Sequence, residues 1–118
     1  MTASQRRTGR TAIEAITAIA AGDDHFAGTT QNVGVGGVFV ATSRFRPVGE
    51  RIAIAFTLPG HKELISVAAE VRWIRDRSSA EPHPRLAGMG LRFVDLPIGA
   101  RFEIQKFLKE REPAGASE

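Results

Sequence analysis

Three arginines stand within the first ten residues, Arg6, Arg7 and Arg10, and no acid precedes Glu14. A guanidinium is a planar fork of donors. It matches two phosphate oxygens or the O6/N7 edge of guanine, and it also stacks on a purine plane. Arg6 and Arg10 are four apart, and on a looped segment both can converge on one ligand. The plainer reading of the same residues is a solvated basic tail. Further along, Asn32-Val33-Gly34-Val35-Gly36-Gly37 joins an amide that donates and accepts to glycines that let a ligand approach the backbone. No Gly-Lys-Ser/Thr follows, so the run is not a P-loop, and no βαβ unit surrounds it as a dinucleotide fingerprint requires. A tight turn between two strands explains it equally well.

Other chemistry finds little support. His25, His61 and His83 lack metal-ligand spacing and sit near turns or loops, so they read as separate surface histidines. Ser4, Ser43, Ser66, Ser78 and Ser79 have no nucleophile context. No acid–base pair suited to cleaving a nucleotide is evident, so neither a catalytic residue nor a metal is expected. The absence of cysteine excludes disulfides, thiolate chemistry and Cys-based zinc sites.

The charge is unevenly placed. The 118 residues carry 16 Lys+Arg and 13 Asp+Glu, a net +3 that the three leading arginines supply alone. The body is neutral with a cationic front end. A local anion site fits this better than a nucleic-acid-coating face, and 7 Phe, 1 Trp and no Tyr leave few rings on which bases could stack. The length suits one domain with one modest core. No apolar run approaches a membrane span. Ile13 to Ala21 is short and interrupted by Glu14 and Thr17, so it is a poor signal peptide, and a cytoplasmic location is expected.

The elements that must position these residues are mostly strands. Ile13, Ile16 and Ile19 are three apart, which by periodicity alone favours a helix over Ala12–Ala20. Phe26–Val33, Val38–Val40, Ile52–Thr57, Leu64–Ile74 and Gly88–Val94 read as strands. Trp73 shares the parity of Ile65 and Val71, which places it in the core, with base stacking as the alternative. Arg72, Arg75 and Arg92 can form a positive rim or ordinary surface charge. Asp76–Arg85 is a polar loop. Asp95 is placed to cap a helix over Pro97–Glu112 that carries Phe102, Ile104, Phe107 and Leu108 on one face. Short strands followed by one helix close most economically as a small antiparallel barrel with the helix against one side or opening.

Arg6-x-x-x-Arg10 followed by Asn32-x-Gly34-x-x-Gly37 resembles the PilZ domain, a bacterial family that binds cyclic di-GMP. Its usual signature is Arg-x-x-x-Arg, then Asp/Asn-x-Ser-x-x-Gly. Gly37–Val40, Pro47–Glu50, Phe56–Pro59, Glu70–Trp73 and Gly88–Phe93 agree with the family in order and spacing, from Arg6 to Leu108. The resemblance implies an all-β fold, a six-stranded antiparallel barrel with a C-terminal helix. It turns Ala12–Ala20 into the first strand and residues 6–11 into an arm that folds over ligand. One domain then spans 6–112, between flexible termini 1–5 and 113–118. Arg6 and Arg10 would clamp phosphate and guanine, with Arg7 auxiliary. Asn32 would bond guanine or hold the turn, and Gly34 and Gly37 would let the turn approach. The implied protein is a non-catalytic cyclic di-GMP receptor acting through an effector protein in motility, adhesion or exopolysaccharide control. Gly34 replaces the family's serine, which predicts weakened binding and keeps open a degenerate adaptor that no longer senses nucleotide. The terminal helix can pack on its own barrel or extend a homodimer interface.

Overall fold

The computed structural model of the chain describes residues 9–76 and 86–111. Among these residues six strands occur in order: β1 (Thr11–Ala21), β2 (Asp24–Val33), β3 (Gly37–Ala41), β4 (Arg51–Thr57), β5 (Leu64–Arg75) and β6 (Gly88–Val94). One helix, α1 (Ile98–Glu110), ends the described chain. The strands close an antiparallel barrel in the order β1-β2-β3-β6-β5-β4, with β4 returning to β1. Closure gives each of the described strands a partner on both sides.

The implied barrel and terminal helix are therefore present, and the helical periodicity of Ile13, Ile16 and Ile19 misleads. Ala15, Thr17, Ile19 and Ala21 point inward at a spacing of two, while Ile16 is 81% exposed. Tertiary pairing on both flanks overrides the local preference. Where alternation is regular the strands obey it. Ile52, Ile54 and Phe56 of β4 share the interior with Val67, Val71, Met89, Leu91 and Phe93. Thr17 and Thr30 are buried but hydrogen-bond each other at 2.5 Å, so the core's hydroxyls are satisfied.

The helix adds Ile104 and Phe107, both fully buried, to this same core. Asp95 does not cap it. Asp95 adopts φ +51, and Pro97 holds the N-cap position with no side-chain bond. The Arg101 N–H instead bonds the Pro97 carbonyl at 2.9 Å. A proline there sets an extended φ,ψ and removes no needed donor, so the start is fixed by the backbone. Glu112, the expected last helical residue, lies outside the described residues, as do residues 77–85 of the polar loop and His83.

Three register shifts interrupt the ladders of the described strands, one of them in the β1–β2 pairing between Ala12 and Ala15, and the other two shape the outer surface of the barrel. The β2–β3 register shifts between Thr30 and Asn32, and the β5–β6 register shifts between Val71 and Trp73. Each is a β-bulge, which inserts one residue and reverses the side of the sheet that later residues face.

Candidate ligand-binding groove

The bulge at Gln31 decides where Asn32 points. Thr30 and Val33 are both fully buried, so inward parity changes between them. Strict alternation would have sent Asn32 inward with Thr30. It instead lies at the barrel surface at the end of β2, where its Oδ1 accepts bonds from Arg10 Nε at 2.9 Å and Nη2 at 2.5 Å. Arg10 Nη2 also reaches the Gly37 carbonyl at 3.3 Å. Between them the Gly34 N–H donates to the Gly37 carbonyl at 2.9 Å and closes the turn. The surrounding turn strips part of the hydration shell from Arg10 and lowers its pKa, yet the ordinary arginine value is so high that the charge stays.

Gly34 and Gly37 have different tasks. A Cβ on Gly34 would sit 3.3 Å from Arg10 Cγ, Arg10 Nη1 and the Gly9 carbonyl, so its bareness lets Arg10 lie across the turn. A Cβ on Gly37 would meet the Leu91 carbonyl oxygen at 2.0 Å, so its bareness admits β6.

The bulge at Arg72 does for Trp73 what the other does for Asn32. Ile65, Val67, Ala69 and Val71 are buried, but Trp73 is 46% exposed. The parity argument that placed it in the core fails because one extra residue precedes it. Its ring lies outside the barrel, stacked on Phe39 at 5.3 Å between centroids and 14° between planes. The Arg75 guanidinium covers Phe39 at 4.5 Å and Trp73 at 5.6 Å, while its Nε bonds the Leu86 carbonyl at 3.0 Å. The stack needs a bare strip of β6 beneath it. A Cβ on Gly90 would strike the Trp73 ring at 2.1 Å, and one on Gly88 would strike Phe39 Cζ at 2.6 Å. The alternation Gly88-Met89-Gly90-Leu91 is the signal that sequence reasoning passed over: it strips a strand's outer face where a flat side chain can cover it.

Arg10, Asn32, Gly36, Gly37, Trp73 and Arg75 thus line one open cleft of about 460 Å³, with Arg72 and Arg92 on its rim. That lies within the roughly 300–1,000 Å³ of small-molecule sites. Cationic forks beside an aromatic face can bind phosphate oxygens and stack a planar base. Of the residues expected in the site, Arg10, Asn32, Gly34 and Gly37 come together. Arg6 and Arg7 lie outside the described residues. His61 is not a free surface histidine, since its side chain is 11% exposed and bonds two carboxylates of α1.

The family model described as PilZ domain matches residues 4–110. The chain belongs to the PilZ domain family. No match emerges among curated proteins. Among solved structures, this PilZ chain is similar to the Bacillus subtilis inhibitor of motility MotI/DgrA, with TM-score 0.74 and 21% identity over 86% of this chain and 48% of that one. It spans about half the length of MotI. It is also similar to the PilZ domain of Escherichia coli YcgR, solved with c-di-GMP, with TM-score 0.66 and 13% identity over 86% of each chain. The PilZ domain of CeSA from a cellulose-synthesizing bacterium aligns with TM-score 0.58 and 13% identity over 86% of this chain and 95% of that one. At these identities the likeness concerns the fold. No helix among the described residues is long and apolar enough to cross a membrane.

Proposed function

We propose that the protein is a non-catalytic cyclic di-GMP receptor acting in the cytoplasm. The observation that carries this is Arg10 docked on Asn32 and Gly37 across the cleft from the Phe39–Trp73–Arg75 stack. The ligand is a doubly anionic dinucleotide with two purines. Arg10, with Arg6 and Arg7 on the arm before it, supplies the phosphate forks. Asn32 supplies an amide for a guanine edge, and the exposed Trp73 ring supplies a stacking face. In this reading binding exchanges the Arg10–Asn32 bonds for bonds to ligand, orders the arm over the Asn32–Gly37 turn, and so changes the surface offered to an effector protein.

Isothermal titration tests the reading. Cyclic di-GMP should bind in the micromolar range or tighter, and Arg10→Ala should weaken it at least tenfold. No heat from a folded protein at high concentration would refute it. A second reading, an adaptor that keeps the barrel and has lost the nucleotide, is favoured by one observation: glycine at position 34, where the family carries serine. That version predicts the null titration.

A further inference from the structure

Behind the rim arginines of the groove stands a carboxylate, Glu70, to which nucleotide binding assigns no role. A row of outward positions crosses four strands: Arg51 of β4 lies opposite Glu70 of β5, Glu70 opposite Arg92 of β6, and Arg92 opposite Gly37 of β3. Arg92 Nη2 donates to Glu70 Oε1 at 2.7 Å, and Arg72 Nη1 lies 3.7 Å from the same oxygen. Beyond Arg92 the row has no side chain, because Gly37 supplies none. Its carbonyl is instead bonded by Arg10. Arg92 therefore stands between a carboxylate on one side and the groove floor on the other.

We propose that Glu70 is the resting counter-ion of the groove, which holds Arg92 at the rim until a bound anion draws that guanidinium across Gly37 towards Arg10. The proposal rests on the groove's being an anion site. Two features suit the exchange. Arg92 is 53% exposed, so its side chain can turn without unpacking the barrel. Glu70 has Arg72 and Arg51 beside it, so losing Arg92 does not leave it uncompensated. The bond from Arg92 holds the Glu70 carboxyl below the usual carboxylate range, so protonation does not relieve the competition near neutral pH. An exposed pair of this kind is weak, which is what a displaceable partner requires. Glu70 thereby sets how much anion charge the groove needs before Arg92 joins it.

The test compares wild type with Glu70→Gln, using two probes, cyclic di-GMP and inorganic pyrophosphate. Binding is followed by the fluorescence of Trp73, the chain's single tryptophan. Glu70→Gln should bind each probe about threefold to tenfold tighter at low salt, with the gain shrinking as salt screens the charges. In an Arg92→Ala background the gain should fall by at least half on a logarithmic scale. Tighter pyrophosphate binding by Glu70→Gln with no cyclic di-GMP binding by either protein would sustain the role of Glu70 and refute the nucleotide reading. Equal or weaker binding by Glu70→Gln overturns the proposal. So does a gain that survives intact without Arg92, and so does failure of both proteins to bind either probe.

Discussion

The two ends of β5 handle charge in opposite ways. Beside its Leu64 end, His61 Nδ1 bonds Glu103 at 3.0 Å and Nε2 bonds Glu110 at 2.9 Å, clasping the β4–β5 turn to α1. The His61 ring meets Phe107 edge-on at 5.6 Å, and Arg111 lies over Phe107 at 4.4 Å while reaching the Pro59 carbonyl at 3.4 Å. Beside its Arg75 end, Arg10 is bonded to neutral acceptors, an amide oxygen and a peptide carbonyl. A cation closed on a carboxylate has its field cancelled within its own chain. A cation held by neutral dipoles keeps most of its attraction for an incoming anion. His61, once protonated, is thus spent on cohesion, whereas Arg10 keeps the attraction that the proposed anion site needs.

Mutations should separate the two roles. The largest effect belongs to Phe107→Ala, which empties a fully buried ring site beneath the clasp. It should cost about 3–5 kcal/mol in urea unfolding. Arg10→Ala should do the reverse, losing at least tenfold in cyclic di-GMP affinity with the unfolding midpoint unchanged. An equal loss of stability would erase the contrast. Gly90→Ala attacks the groove from beneath: its methyl must push Trp73 off Phe39, so tryptophan emission should shift and affinity should fall about fivefold, a loss of order 1 kcal/mol.

The clasp should also titrate. Bonds first to Glu110 and then to Glu103 raise the His61 pKa above its ordinary value, and the same bond lowers that of Glu110. A group whose folded pKa is raised stabilises fully below the unfolded value of about 6.5, and that contribution is lost as pH rises through the folded value. Thermal melts should therefore fall by roughly 2–4 °C across that window in wild type, and His61→Asn should flatten this component. Smallest of all is Gly34→Ser. Arg10 must yield by a few tenths of an ångström to admit the new Cβ, and the added hydroxyl should tighten cyclic di-GMP binding by about threefold. Unchanged affinity would show that the hydroxyl is not what the turn lacks.

Legibility tracked regularity. Ile52, Ile54 and Phe56, and Met89, Leu91 and Phe93, alternate without a break, and both segments are strands with those residues inside. The arginine pair and the Asn32–Gly37 run pointed to one site, and the chain brings Arg10 and that run together. Trp73 escaped because a bulge adds one residue with no compositional mark, so parity counted through Arg72 yields the wrong face. His61 escaped for another reason: its partners stand 42 and 49 residues away, and local context says nothing about contacts made through tertiary packing. Ile16 misled through spacing alone, since a strand leaves such a residue outside while a helix of the same spacing would hide it.

The two bulges have a genetic consequence. Gln31 and Arg72 act as phase shifters, each advancing its strand by half a pleat before a groove-facing side chain. Losing either codon would restore plain alternation from Thr30 to Asn32 or from Val71 to Trp73, and would so leave both groove-facing side chains on the outer face. The face that Asn32 and Trp73 take is therefore buffered against loss of a single in-frame codon at either bulge, because the partner strands already offer them consecutive, outward-paired positions.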